Sequence, residues 1–224
     1  MKIEKIKVWG FEHALRGMRN PLESWPKSDS EYDDHGNLGF MGTNDLDLCK
    51  RLIQGGPEHR KFLRQIFISM DVTAPLYWWK EFDTYKVGTV ANSTSTMHKL
   101  ASTSITKDCF EMDDYENIKV YDREPYNIDT YTDDAWEQLI EVCETLRERY
   151  LKTKDVRYWK ELIRWLPESW LQTRTVTMNY ENAMTIYKQR KYHKLSEWNT
   201  FLEELTKNTL YLKQFISFLE KDEE

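Results

Sequence analysis

A strand that passes directly into a helix is the most informative pattern in the chain. Apolar side chains occupy every second position over Ile66–Val72, the period of a half-buried strand. Ala74-Pro75 then interrupts the alternation, because proline lacks the N–H of a central strand but suits the first turn of a helix. Apolar residues continue at helical spacing from Leu76, and we expect Gly88 to end that helix.

The same two periods predict strands and helices along the rest of the chain. We expect Asn44 to cap one helix, and Asp134 with Glu137 to form a capping box on another. Pro21–Gly42 and Leu100–Asp134 are expected to be mainly loop. The predicted elements are a strand over Met1–Trp9, a short helix at His13–Arg16, a helix from Asn44 to Gly55, helices from Asp134 and over Asp155–Trp165, a strand over Gln172–Met178, a helix from Asn179 to Arg190 and a final helix over Ser196–Lys221.

Composition narrows the class of protein. A chain of 224 residues with 40% hydrophobic residues can bury one core, so we expect a single domain over residues 1–224. The net charge of −6 argues against a general nucleic-acid binder, which usually carries a basic stripe. Cys49, Cys109 and Cys143 lack metal-ligand spacing and fit reduced thiols. With no apolar run near the ~20 residues of a membrane helix, we expect a cytoplasmic protein without a membrane segment.

One short tract carries candidate chemistry. Asn92, Ser93 and Ser95 stand in a hydroxyl-rich stretch that ends at His98. Backbone N–H groups and hydroxyls in such a turn can hold a phosphate, and an ordinary loop with helix caps fits the same residues. The sequence has no Gly-rich Walker or dinucleotide loop, no Cys-x-x-Cys and no His-x-x-x-His. A Ser95–His98 pair has no evident third member of a triad.

Three segments between Asn44 and Trp198 keep a recognisable spacing. The first is Gly56-Pro57-Glu58-His59, after a helix. The second is Ala74-Pro75 with an aromatic-rich helix and Asn92-x-x-Ser95. The third is Leu166-Pro167 followed at fixed distances by Thr177, Asn179, Met184 and Arg190. In this order and spacing, the chain resembles the flavin-dependent thymidylate synthases, the ThyX family.

The resemblance implies a fold, an activity and a set of site residues. The fold is α+β, with a central antiparallel sheet packed with helices. The activity is transfer of a methylene from methylenetetrahydrofolate to the uracil C5 of dUMP, with FAD reduced by NADPH, in a homotetramer whose active sites form where subunits meet. By position, the implied residues are Ser95 as catalytic, His59, Lys86, Asn179 and Arg190 for the cofactor, and Asn92, Ser93, Ser95, Arg164 and Glu181 for the pyrimidine nucleotide, with no metal site.

The chain also departs from the family pattern. The family's Asn-Ala-Arg becomes Asn179-Tyr180-Glu181, which reverses the charge where an arginine binds the nucleotide, and we expect a carboxylate there to repel an anion. The family also has an Arg-His-Arg triplet, which falls near Thr84-Tyr85-Lys86 here, so at most Lys86 keeps a positive charge. The family's arginine two residues after the serine matched by Ser95 becomes Met97. Lys80, Lys86, Lys99 and Arg174 are candidates to replace the lost charges.

Three interpretations therefore remain open. The chain is a divergent flavin-dependent enzyme acting on dUMP or a related nucleotide. Alternatively, it binds a nucleotide or flavin without catalysis, or it kept only the fold and serves as a structural protein.

Overall fold

A computed structural model describes residues 1–95, 100–123 and 128–220. The predicted positions Met97, His98, Lys99 and Lys221 lie outside these ranges. The strands are β1 (Lys2–Trp9), β2 (Glu31–Tyr32), β3 (Leu38–Phe40), β4 (Phe67–Pro75), β5 (Thr89–Ser93), β6 (Lys119–Arg123), β7 (Ile128–Tyr131) and β8 (Leu171–Asn179). The helices are α1 (Phe11–Arg19), α2 (Thr43–Gln54), α3 (Leu76–Phe82), α4 (Thr132–Thr153), α5 (Val156–Trp165), α6 (Tyr180–Arg190), α7 (Ser196–Asn208) and α8 (Leu212–Glu220).

The main sheet has the strand order β1-β4-β8-β5. Side-chain pairs fix the register of β4 against β8. The Thr175 hydroxyl donates to the Asp71 carboxylate at 2.6 Å, and the Thr177 hydroxyl donates to Ser69 at 3.2 Å. Residue numbers rise on one strand as they fall on the other, which is antiparallel pairing. The expected α+β fold with a central antiparallel sheet is confirmed.

The chain divides into two compact units. The first comprises Met1, Thr73–Phe82 and Ser93–Thr173, and the second comprises Lys2–Val72, Asp83–Asn92 and the chain from Arg174 onward. The expectation of a single domain stays a prediction.

Aromatic and aliphatic side chains form the core of the first unit. The Phe110 ring lies against Trp136 and Trp170, with centroids 5.2 and 5.5 Å away. Trp79 is fully buried, and its indole N–H donates to the Gln172 carbonyl at 2.9 Å, so its polar atom is satisfied inside the core. The buried members of the cluster are Leu100, Ile105, Phe110, Cys143 and Leu162.

Tyr180 lies at the centre of the second unit. Its ring makes edge contacts with Phe11 and Phe215, at centroid distances of 5.5 and 6.2 Å. Its backbone N–H donates to the Ile66 carbonyl at 2.9 Å, and its hydroxyl donates to the Leu210 carbonyl at 2.7 Å. Burial raises the pKa of this hydroxyl, which keeps it protonated as a donor. One fully buried side chain thus joins α6, α1 and α8.

The start of α2 differs from the expectation. The helix begins at Thr43, after Gly42, and Asn44 does not cap it. Asp29 supplies the cap from the preceding loop, because its carboxylate accepts the backbone N–H groups of Asn44 at 2.9 Å and Asp45 at 3.1 Å. The expected Pro21–Gly42 loop also contains the antiparallel pair β2 and β3.

A buried ion pair holds the same loop. The Asp45 carboxylate accepts hydrogen bonds from the Arg19 guanidinium at 2.7 Å and from the hydroxyls of Ser28 and Ser30, each at 2.7 Å. Asp45 has no exposed surface, so its charge is stable there only because these donors replace water. These bonds connect the loop to α1 and α2.

Two other expected boundaries were wrong, the end of α3 and the start of α4. α3 ends at Phe82, not at Gly88, since Asp83 and Thr84 are weak helix formers and Gly88 lies in a later turn. α4 begins at Thr132, where the Asp134 carboxylate accepts the Tyr131 N–H at 2.8 Å instead of acting as the first cap.

The expected Ser196–Lys221 helix is two helices. α7 ends at Asn208 and α8 starts at Leu212. Tyr211 between them has a left-handed φ of 59°, which a continuous helix does not allow. The Tyr180 hydroxyl bonds the Leu210 carbonyl within this break, so a distant residue helps to fix it.

Replacing the central hydroxyl should cost stability. Tyr180→Phe leaves the Leu210 carbonyl without its buried donor, and we expect a loss of about 1–3 kcal/mol in the free energy of unfolding. Urea denaturation measures this value. Tyr192→Phe is the matched control, since Tyr192 is 88% exposed and its change should be close to zero. Equal effects at the two positions would contradict the role of Tyr180.

Candidate functional site

Asn179 joins strand β8 to helix α6 and caps the helix. Its side-chain oxygen accepts the backbone N–H of Asn182 at 2.9 Å, as predicted from the sequence. Gly88 packs against its amide: a Cβ on Gly88 would lie 2.9 Å from the Asn179 side-chain nitrogen, and the φ of +74° there also favours glycine. The Asn182 amide donates to the Val87 carbonyl. The predicted cofactor residue Asn179 is thus a helix cap beside a tight turn.

Arg190 lies at the other end of α6, next to two aromatic rings. Its Nε donates to the Tyr85 hydroxyl at 2.9 Å, and its guanidinium carbon is 4.8 Å from the centre of the Trp198 ring. Lys86, the residue after Tyr85, is exposed. Three of the predicted cofactor residues, Lys86, Asn179 and Arg190, therefore lie along α6 and the segment that packs on it.

Glu181, in the first turn of α6, is paired with two arginines. Its carboxylate accepts the Nε–H of Arg60 at 3.2 Å through one oxygen and that of Arg64 through the other. Burial alone would raise the pKa of Glu181, but the hydrogen bonds from Arg64 and Arg60 lower it below its ordinary value. The three side chains together carry a net positive charge. The Glu181 carboxylate is therefore paired within the chain, and the expectation that it repels an anion stays a prediction.

His59 lines a cavity in the second unit. The cavity has a volume of about 530 Å³, within the ~300–1,000 Å³ range typical of small-molecule sites. His59 is exposed and follows the Gly55-Gly56 turn at the end of α2. The cavity is lined by apolar and polar side chains, among them Met18, Leu52, Phe62, Glu58, Lys61, Arg64 and Gln65.

A second, smaller cavity lies along α6. It has a volume of about 250 Å³ and is lined in part by Arg60, Glu181, Thr185 and Lys188. The Arg60–Glu181–Arg64 cluster therefore has a member in the lining of each cavity, because Arg64 lines the larger one.

The other predicted residues lie near the end of β5 and on α5. Asn92 and Ser93 are exposed on β5, and Ser95 is half-buried two residues beyond the strand. The Thr94 N–H between them donates to the Thr173 carbonyl at 2.8 Å and fixes this segment. Arg164 is exposed on α5 and pairs with Glu161 at 2.6 Å. The roles assigned to these residues stay predictions.

Two of the four positive charges considered as replacements have partners of their own. Lys80 pairs with Glu168 at 2.6 Å, and Arg174 pairs with Asp83 at 2.8 Å. Sequence reasoning missed Arg60 and Arg64. Their only signal was position: Arg60 directly follows His59, and Arg64 stands four residues later.

Two classes of feature are absent from the described ranges. Over residues 1–95, 100–123 and 128–220, no group of three or more His, Cys, Asp or Glu side chains is arranged to hold a metal ion. Within the same ranges, no helix is long and apolar enough to cross a membrane.

The Glu181 ion pairs should make stability depend on pH. Because its folded pKa lies below the ordinary 4.5, their contribution is present above pH 4.5 and is lost as the pH falls through the folded pKa. Glu181→Gln should cost about 1 kcal/mol at neutral pH, with the gap to wild type closing in acid. Glu161→Gln breaks an exposed pair and should cost less. Denaturant titrations from neutral to acid pH measure both, and a gap that does not change with pH would contradict the ion-pair account.

Comparison with known proteins shows which fold this is. No family model and no curated protein matches the sequence. Crystal structures do match: one of flavin-dependent thymidylate synthase ThyX from Helicobacter pylori complexed with FAD and dUMP has a TM-score of 0.63 and 16% identity, over 96% of this chain and 97% of that one. Another ThyX structure from H. pylori with FAD and dUMP has a TM-score of 0.65 and 16% identity, over 98% of this chain and 99% of that one. The chain therefore shares the ThyX fold over nearly its full length.

Proposed function

We propose that this protein binds FAD and a pyrimidine nucleotide, dUMP or a relative, and acts as a divergent thymidylate synthase-like enzyme. The observation that carries the proposal is the match along nearly the whole chain to ThyX structures that hold FAD and dUMP. The position of His59 in a cavity of about 530 Å³ supports it.

The lining of this cavity fits part of a flavin nucleotide. Met18, Leu52 and Phe62 offer apolar surface for a flat ring. His59 and Lys61 bring polar and basic groups to the same cavity, where they can meet ring edges or phosphate oxygens. A site with apolar walls and few charged groups is typical of cofactor binding.

The chain's residues would bind and orient the reactants. A bound flavin would supply the hydride that turns a transferred methylene into a methyl group, with methylenetetrahydrofolate as the carbon donor and NADPH as the reductant. Asn92, Ser93 and Ser95 would hold the nucleotide phosphate through side-chain hydrogen bonds, and Ser95 is also the candidate catalytic residue. Arg164 is the further candidate for the nucleotide. We also propose the homotetramer that the family resemblance implies.

One observation favours a second function, ligand binding without catalysis. Glu181 takes the position at which the family has a nucleotide-binding arginine, and its carboxylate is engaged by Arg60 and Arg64. A chain that lost this arginine could keep the flavin cavity and lose the methyl-transfer reaction. Turnover assays separate the two functions.

The absorbance spectrum of the protein with FAD tests the proposal. We expect flavin bands that co-elute with the protein after FAD is added and excess is removed. His59→Ala should weaken FAD binding about tenfold, since it removes a polar group from the cavity. His35→Ala is the control, because His35 is exposed in a separate turn.

Two results would contradict parts of the proposal. A protein that stays colourless at saturating FAD would rule out flavin binding. A flavin-loaded protein that does not oxidise NADPH and does not form dTMP from dUMP and methylenetetrahydrofolate would favour the non-catalytic function.

A further inference from the structure

Arg60 and Arg64 are attached to Glu181 by only one edge of each guanidinium. Each side chain donates its Nε–H to a different oxygen of the carboxylate. A guanidinium has five N–H donors, and the terminal amino groups carry the other four. Within the part of the chain that the structure describes, these terminal groups of Arg60 and Arg64 have no hydrogen-bond partner.

The surroundings of the pair are basic, although the protein is acidic. Among the described residues that line the two cavities, four basic side chains (Arg60, Lys61, Arg64 and Lys188) stand against two acidic ones (Glu58 and Glu181). The whole chain has a net charge of −6. A local positive excess of this kind attracts anions, and cavity walls concentrate the field.

The pair is also held in place before any ligand arrives. Arg60 is 18% exposed and Arg64 is 52% exposed, so one guanidinium is largely enclosed and the other reaches water. Long arginine side chains lose rotamer freedom when they bind a ligand, and the shared carboxylate has already ordered both of them. Glu181 thus reduces the positive charge of the pair but preorganises its donors.

We propose that Arg60 and Arg64 form an anion site for a phosphate or pyrophosphate group, with Glu181 as the positioning residue. The planar fork of guanidinium donors matches the oxygens of such a group. The assignment of this phosphate group to a bound nucleotide or flavin rests on the function proposed above. The phosphate site itself stands on the arginine geometry.

Binding of inorganic pyrophosphate tests this site without FAD or substrate. Isothermal titration of the full chain at low ionic strength should show binding to wild type. Arg64→Gln should weaken it about tenfold, because it removes one charged, multi-donor contact. Arg64 is half exposed and Arg60 still pairs with Glu181 in this variant, so the fold should persist; thermal melting checks this. Arg157→Gln is the matched control, an exposed arginine paired with Asp155, and should bind like wild type.

Arg64→Lys separates charge from donor geometry. It keeps the positive charge but loses the planar fork, and its affinity should fall between those of wild type and Arg64→Gln. Wild-type affinity for pyrophosphate in a folded Arg64→Gln variant would overturn the proposal. So would equal losses in Arg64→Gln and Arg157→Gln, which would indicate attraction by overall charge alone.

The result is independent of the flavin experiment. Arg64-dependent pyrophosphate binding by a protein that does not take up FAD would support the anion site and contradict the proposed function. FAD uptake by a protein whose pyrophosphate binding does not depend on Arg64 would support the proposed function and contradict the anion site.

Discussion

The burial of Tyr180 with its hydroxyl satisfied is the interaction on which the second unit depends. A tyrosine in a core requires a hydrogen-bond partner for its oxygen, and the Leu210 carbonyl provides it at 2.7 Å. That carbonyl is available because the chain breaks between α7 and α8 at Tyr211. The ring meanwhile contacts Phe11 and Phe215, so helices far apart in sequence pack on one side chain.

The residues on either side of Tyr180 connect this core to the candidate site. Asn179 caps α6 and supports the turn at Gly88, and Glu181 holds Arg60 and Arg64. The side chains of consecutive residues at a strand–helix junction point in different directions. Asn179 therefore caps the helix, Tyr180 packs in the core and Glu181 joins the charge cluster. A stable core at Tyr180 therefore also fixes the position of the charged groups.

The charge cluster changes how the departure from the family pattern is understood. Glu181 in place of an arginine indicated a site that repels anions. Arg60 and Arg64 lie over a hundred residues earlier in the sequence and pair with Glu181, so the cluster as a whole is positive. The chain thus carries positive charge beside the cavity of about 530 Å³ through residues that a motif comparison does not align.

The sequence by itself determined the elements whose signals are local. Alternation over Ile66–Val72 specified β4, and Asn179 specified the start of α6, because periodicity and caps act over a few residues. The resemblance in short motifs gave the fold class. Only the tertiary structure decided the cap of α2 by Asp29, the break before α8 and the pairing of Glu181. Each of these depends on a partner distant along the chain, and a local pattern contains no information about which distant group will fold against it.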